Sequence, residues 1–243
     1  MTANLLAFDT STELLAIALG TPAGRWVHCS AGGAKASANL LPQVAALCRQ
    51  AGLALASLDA IAFGRGPGAF TGLRTSCAVA QGLALGLGCP VLPIDSLLIV
   101  AEDARVQTGG GDDAAIDIGV AMDARMGEVY AARWCWQRGQ WHETMAAQLC
   151  APDVLVAAWA PHAPAWLAGS AWAALGPRLA LPTGPRTGLA EHDRAAALLR
   201  LAVVAHARGD GVDAALALPL YLRDKVAQTS AERDAIRAAA AGT

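Results

Sequence analysis

NLLAFDTSTELLAIAL, residues 4–19, and DIGVAMDARMGEVYAARW, residues 117–134, carry the same order of features. Each has an apolar run, an Asp, a short turn and a second apolar run. Asp9 and Asp123 both follow a run of the form apolar–apolar–Ala–apolar, and they lie 114 residues apart, about half of the 243-residue chain. Self-similarity at that distance suggests a duplicated domain. In such a chain a ligand would sit in the cleft between the halves, and an Asp at each first hairpin turn would aim a carboxylate at it. The other reading is that each Asp closes its turn through its own side chain. The sequence leaves both open, so Asp9 and Asp123 stand as the candidate cofactor-binding residues.

Outward from the first stretch, strands and helices alternate. LLAFDT (5–10), LLAIALG (14–20) and RWVHCSAG (25–32) read as strands. ASANLLPQVAALCRQAG places Leu40, Val44, Leu47 and Ala51 on one helical face, with Gly52 as the stop. LDAIAFGRG (58–66) reads as a buried strand, Phe70 to Gly88 as a helix, CPVLPID (89–95) as a strand, and SLLIVAEDARVQ (96–107) as a helix capped by Ser96. This alternation predicts an α/β fold with partly parallel pairing. TGGGDD (108–113) reads as a linker. The expected domains are therefore 1–108 and 109–243, with the last helix free to pack back on the first domain.

Composition excludes several classes. With 55% apolar and 16% charged residues the chain is globular, not disordered. A net charge of −2 and just two lysines, Lys35 and Lys225, leave no electrostatic footprint for nucleic acid. The N-terminal MTANLLAFDTSTE has no basic segment and is broken by Asp9, unlike a signal peptide. AVAQGLALGLGCPVLPI is too interrupted for a membrane span. The six cysteines form no CxxC pair and read as reduced small hydrophobes, which suits the cytoplasm. Five scattered histidines give no metal-ligand spacing, and no GxSxG elbow occurs. No catalytic residue and no metal site are expected.

GRGPGAFTGLRTS (64–76) is shaped like an anion loop, with glycines before a helix. It fits no consensus. A P-loop needs Lys after its last glycine, where Leu73 and Arg74 follow Gly72; a dinucleotide loop needs a sixth-place glycine, where Thr71 stands. The competing reading is a tight strand-to-helix turn. In the following helix Thr75, Ala78, Gly82 and Gly86 form a stripe of small side chains, and Leu73, Cys77, Ala80, Ala84 and Leu87 a separate apolar stripe. Two glycines inside a helix, at roughly 1 kcal/mol each against Ala, need a reason such as a close partner helix. Packing within the domain is the alternative.

LLAFDTST, AFGRGPGAFTGLR with AQGLALG behind it, AMDARMGEVYAA and the late PLYLR together resemble the bacterial TsaB (YeaZ-like) family, in the family's order and from residue 4 to about 226. The resemblance implies a duplicated ASKHA (actin-like ATPase, ribonuclease H-like) fold in two domains. It implies a non-catalytic scaffold subunit of the machinery that adds threonylcarbamoyl to N6 of adenosine 37 in tRNAs reading codons that start with A. The implied partners are the transferase TsaD, as a heterodimer, and the ATPase TsaE, with tRNA met through the complex alone and a homodimer when isolated. No cofactor is expected on this subunit; ATP or ADP and a metal are expected in the partners. Where the catalytic paralogue carries paired histidines, this chain reads GGAKASANLLP, and Ala36 stands where many relatives keep one His. The expected partner interface comprises Leu40, Val44, Leu47, Thr71, Thr75, Ala78 and Gly82. The alternative is an ATP-binding ASKHA phosphotransferase or hydrolase built on Asp9, Asp123 and LAGSAW (167–172). Against it, the DTST turn lacks the glycine usual in that fold's first phosphate hairpin.

Overall fold

The computed structural model describes residues 2–109, 115–181 and 186–223. The glycines and acids of the expected linker, from Gly110 on, lie outside the described residues. The first half comprises β1 (Leu5–Asp9), β2 (Leu14–Thr21), β3 (Gly24–Ala31), α1 (Ala36–Ala51), β4 (Ala60–Gly66), α2 (Phe70–Leu87), β5 (Val91–Asp95) and α3 (Ser96–Gln107). The second comprises β6 (Ile116–Asp123), β7 (Val129–Gln137), β8 (Gln140–Cys150), α4 (Pro152–Trp159), β9 (Trp166–Ala168), α5 (Ala171–Leu175), β10 (Arg186–Leu189) and α6 (Arg194–Arg208).

The two sheets share one topology. In the first the order is β3-β2-β1-β4-β5, with β1–β2 and β2–β3 antiparallel and β1–β4 and β4–β5 parallel. In the second, β8-β7-β6-β9-β10 repeats that order and those directions. Asp9 and Asp123 end the equivalent strands β1 and β6.

The pleat of the first sheet sorts side chains by size. Leu6, Phe8, Leu15, Ile17, Leu19, Ile61 and Phe63 face α1 and α2. Leu5, Ala7, Ala16, Ala18, Ala60 and Ala62 face the other way, toward Ile99 of α3 and Ala195, Leu198, Leu199 and Ala202 of α6. Large residues fill the space under α1 and α2, at roughly 1.5–3 kcal/mol for each fully buried side chain. Alanines let α6 come close. α3 also meets the second sheet, through Leu97, Val100, Ala101 and Ala104 against Ile118, Val120, Ala132 and Trp134. The far face of that sheet is covered by α4 and α5 around Trp159.

Helix ends follow local chemistry. α1, α2 and α6 stop at Gly52, Gly88 and Gly209, all left-handed. The cap of α3 differs from the sequence expectation. Asp95, not Ser96, is its N-cap, accepting a 2.9 Å bond from the Leu97 N–H. Ser96 is the first helical residue, and its buried hydroxyl serves the site described next.

Candidate functional site

β1 ends in Asp9, which is fully buried. Its Oδ1 accepts the Ser11 N–H at 2.6 Å, closing the β1–β2 turn. Its Oδ2 takes Arg194 Nη2 at 2.7 Å and Nε at 3.2 Å, and the Ser96 hydroxyl at 3.3 Å. Arg194, the first residue of α6, is 1% exposed and also pairs with Glu191. Burial alone would depress the Arg194 guanidinium, but Asp9 and Glu191 outweigh it and hold the group above its ordinary value. The charge is therefore fixed.

The glycine loop packs against this turn. A Cβ on Gly64 would collide with the Asp9 carboxylate, and one on Gly72 with the Thr10 carbonyl. The Ala69 N–H donates to the Ser11 carbonyl at 2.8 Å, the Thr10 N–H to Ser76 Oγ at 3.0 Å, and the Thr10 hydroxyl to the Gly72 carbonyl at 2.7 Å. So two of the loop's glycines answer to crowding, Gly64 from a side chain and Gly72 from backbone. Two of the loop's own amides, those of Gly66 and Ala69, are taken by Ser96 Oγ and the Ser11 carbonyl, which fits a tight strand-to-helix turn.

Asp123 plays the matching part in the second half. Its Oδ1 accepts the Arg125 N–H at 2.8 Å, so both aspartates close their turns through their own side chains. They differ in access. Asp123 lines a cavity of about 470 Å³ between the halves, whereas Asp9 lies behind Arg194. Ser170 of LAGSAW also lines it, accepting the Asp123 N–H at 3.1 Å. Arg125 reaches across to Glu13 at 2.7 Å. The turn is strained: Arg125 and Met126 both hold left-handed backbone, at φ 63 and 57. A strap, residues 217–223, covers the cleft from the first half to the second. The Ala217 carbonyl accepts Gln81 Nε2 at 2.9 Å, the Leu220 N–H donates to the Arg65 carbonyl at 2.7 Å, and Arg223 pairs with Glu128 at 2.7 Å.

These residues do not fit a nucleotide with its metal. Asp9, the carboxylate at the end of the first central strand, has an arginine where a cation would stand. The cleft's arginines, 125, 194 and 223, are each paired with carboxylates. Among the described residues no three His, Cys, Asp or Glu side chains gather as metal ligands.

The expected partner surface divides. Leu40, Val44 and Leu47 are at most 4% exposed and belong to the protein's own core against β1, β2 and β4. That is a correction: the apolar face of α1 is spent on its parent sheet. Thr71, Ala78 and Gly82 are exposed and Thr75 is half-buried, on the outer face of α2. A Cβ on Gly82 or Gly86 would meet nothing within 4 Å. Leu85, 79% exposed, continues that face, and Leu41 of α1 is 48% exposed. The sequence marks Ser96 as a helix cap alone, and it does not mark Arg194 or Glu191 at all. The EHD run (191–193) reads as a helix start, but nothing local ties it to Asp9.

The doubled sheet topology and the cleft between the halves define an ASKHA-type α/β protein. The profile of the TsaD family, described as tRNA N6-adenosine threonylcarbamoyltransferase, matches residues 30–231. The tRNA threonylcarbamoyladenosine biosynthesis protein TsaB of Haemophilus influenzae is 32% identical, over 92% of this chain and 94% of its own. That of Escherichia coli is 32% identical over 92% and 96%. The solved structure of YeaZ from Pseudomonas aeruginosa superposes with a TM-score of 0.79 at 38% identity, covering 91% of this chain and all of that one. The chain belongs to the TsaB (YeaZ-like) family.

Proposed function

We propose that this protein is a non-catalytic pairing subunit in tRNA threonylcarbamoyladenosine biosynthesis, a cytoplasmic partner of TsaD that meets TsaE and tRNA through the complex. The observation that carries the reading is the outer face of α2: small, exposed and standing on a fully packed sheet. Small side chains let a second helix approach closely, which gives the helix glycines a use. The family relationship supplies the pathway, and the boundary between the halves is taken at residues 108 and 109.

The sealed Asp9 argues against the phosphotransferase alternative, and no cofactor is assigned to this subunit. The net charge of −2 argues against tight tRNA binding by the chain alone. The test is purification with and without TsaD, scored by mass in solution, beside an ATPase assay. A heterodimer with no turnover by the isolated chain is expected. Turnover that disappears in Asp9→Ala would favour the alternative.

A further inference from the structure

A second groove, of about 870 Å³, shares no lining residue with the cleft. It runs between the β2–β3 turn, the ends of β4 and β5, the outer side of α6 and the β7–β8 hairpin. Trp134, Trp136 and Trp141 stand in its wall.

Its polar atoms are unevenly satisfied. Glu102 is fully engaged, accepting Arg105 at 2.9 and 3.0 Å, Arg200 at 2.6 Å and Trp141 Nε1 at 3.1 Å. Arg105 also lies 4.3 Å from the Trp136 ring centre. In contrast, three buried side-chain nitrogens among the described residues have no hydrogen-bond partner: Arg65 Nε, Trp134 Nε1 and Trp136 Nε1. All three belong to residues lining this one groove. Such groups are rare in folded proteins, and unmet ones call for an explanation. All three are donors, so what is missing is an acceptor.

Arg65 is half-buried and has no ion pair within 4.0 Å among the described residues. Asp95 is within electrostatic reach of it, but caps α3 through the Leu97 N–H. Arg25 and Arg208 also line the groove but are exposed, so it offers one half-buried cation without an ion pair, donors without acceptors, and aliphatic and indole walls. We propose that it is a binding site for a small anion carried on an aromatic or apolar body, with Arg65 meeting the charge. Asp95 and Glu143 flank it, so a singly charged ligand suits it better than a polyanion.

The test uses the full chain and two fluorescent probes of similar shape, anilinonaphthalene sulfonate and the uncharged phenylnaphthylamine. The expected result is one saturable site that prefers the sulfonate by about tenfold, the scale of one charge-assisted hydrogen bond. Arg65→Met removes the preference while leaving the neutral probe bound. Val204→Trp, at an exposed groove position on α6, weakens both probes without lowering the melting temperature. A sulfonate preference that survives Arg65→Met overturns the proposal. So does the absence of saturable binding, or binding indifferent to Val204→Trp.

Discussion

Asp9 and Arg194 join residues 185 apart in a site from which water is excluded. A buried charge stripped of its partner costs about 3–5 kcal/mol. Arg194→Met is therefore expected to lower unfolding stability by about that amount in a denaturant melt; a loss under about 0.5 kcal/mol would contradict the arrangement. Glu102 gives a pH signature. Burial would raise its carboxyl, but the bonds from Arg105 and Arg200 outweigh this and hold it below the ordinary range. Its stabilisation is thus complete above the unfolded carboxylate range and is lost as pH falls through the lower folded value. Melts on the acid side should show a shallower pH dependence in Glu102→Gln, and an unchanged slope would refute the assignment. Asp9 could be found from the sequence because a repeat marks it. Arg194 could not, since no local pattern records a partner so far along the chain.

The elements show what periodicity can and cannot tell. It gave α1 an apolar face at Leu40, Val44 and Leu47, but not what covers that face, and the parent sheet takes it. In and after the glycine loop, spacing alone does not separate glycines that are crowded from glycines that are bare. Gly72→Ala drives a methyl into the Thr10 carbonyl and should prevent normal folding, while Gly82→Ala and Gly86→Ala meet open space and should stabilise α2 by up to about 1 kcal/mol each. Thermal melts of the three variants check the contrast, which fails if Gly72→Ala melts like the wild type. The cap of α3 provides another test. Burial raises the Asp95 carboxyl above its usual range, against the Leu97 amide and Arg65. Asn caps a helix about as well as Asp, so near neutral pH Asp95→Asn should be tolerated while Asp95→Ala loses about 1 kcal/mol. Equal losses in the two would show that the charge, not the cap, matters there.

At the scale of the molecule, the repeat around Asp9 and Asp123 foretold the two sheets of one topology, because each half must bury a sheet of its own. The strap over the cleft was legible as a motif, PLYLR, but not as a tie between the halves, since its partners Arg65, Gln81 and Glu128 come from three distant elements. What remains bare is the outer face of α2, and the proposed role rests on it. Gly82→Leu places a bulky side chain there without touching the core. Overpacking a helix interface costs about 1–3 kcal/mol, so affinity for TsaD should fall roughly five- to hundredfold. The decisive measurement is the dissociation constant of the Gly82→Leu chain for TsaD, beside the melting temperature of that chain alone. A weakened complex with an unchanged melt is the predicted result; wild-type affinity would contradict the account, and a collapsed melt would show that the face is not free.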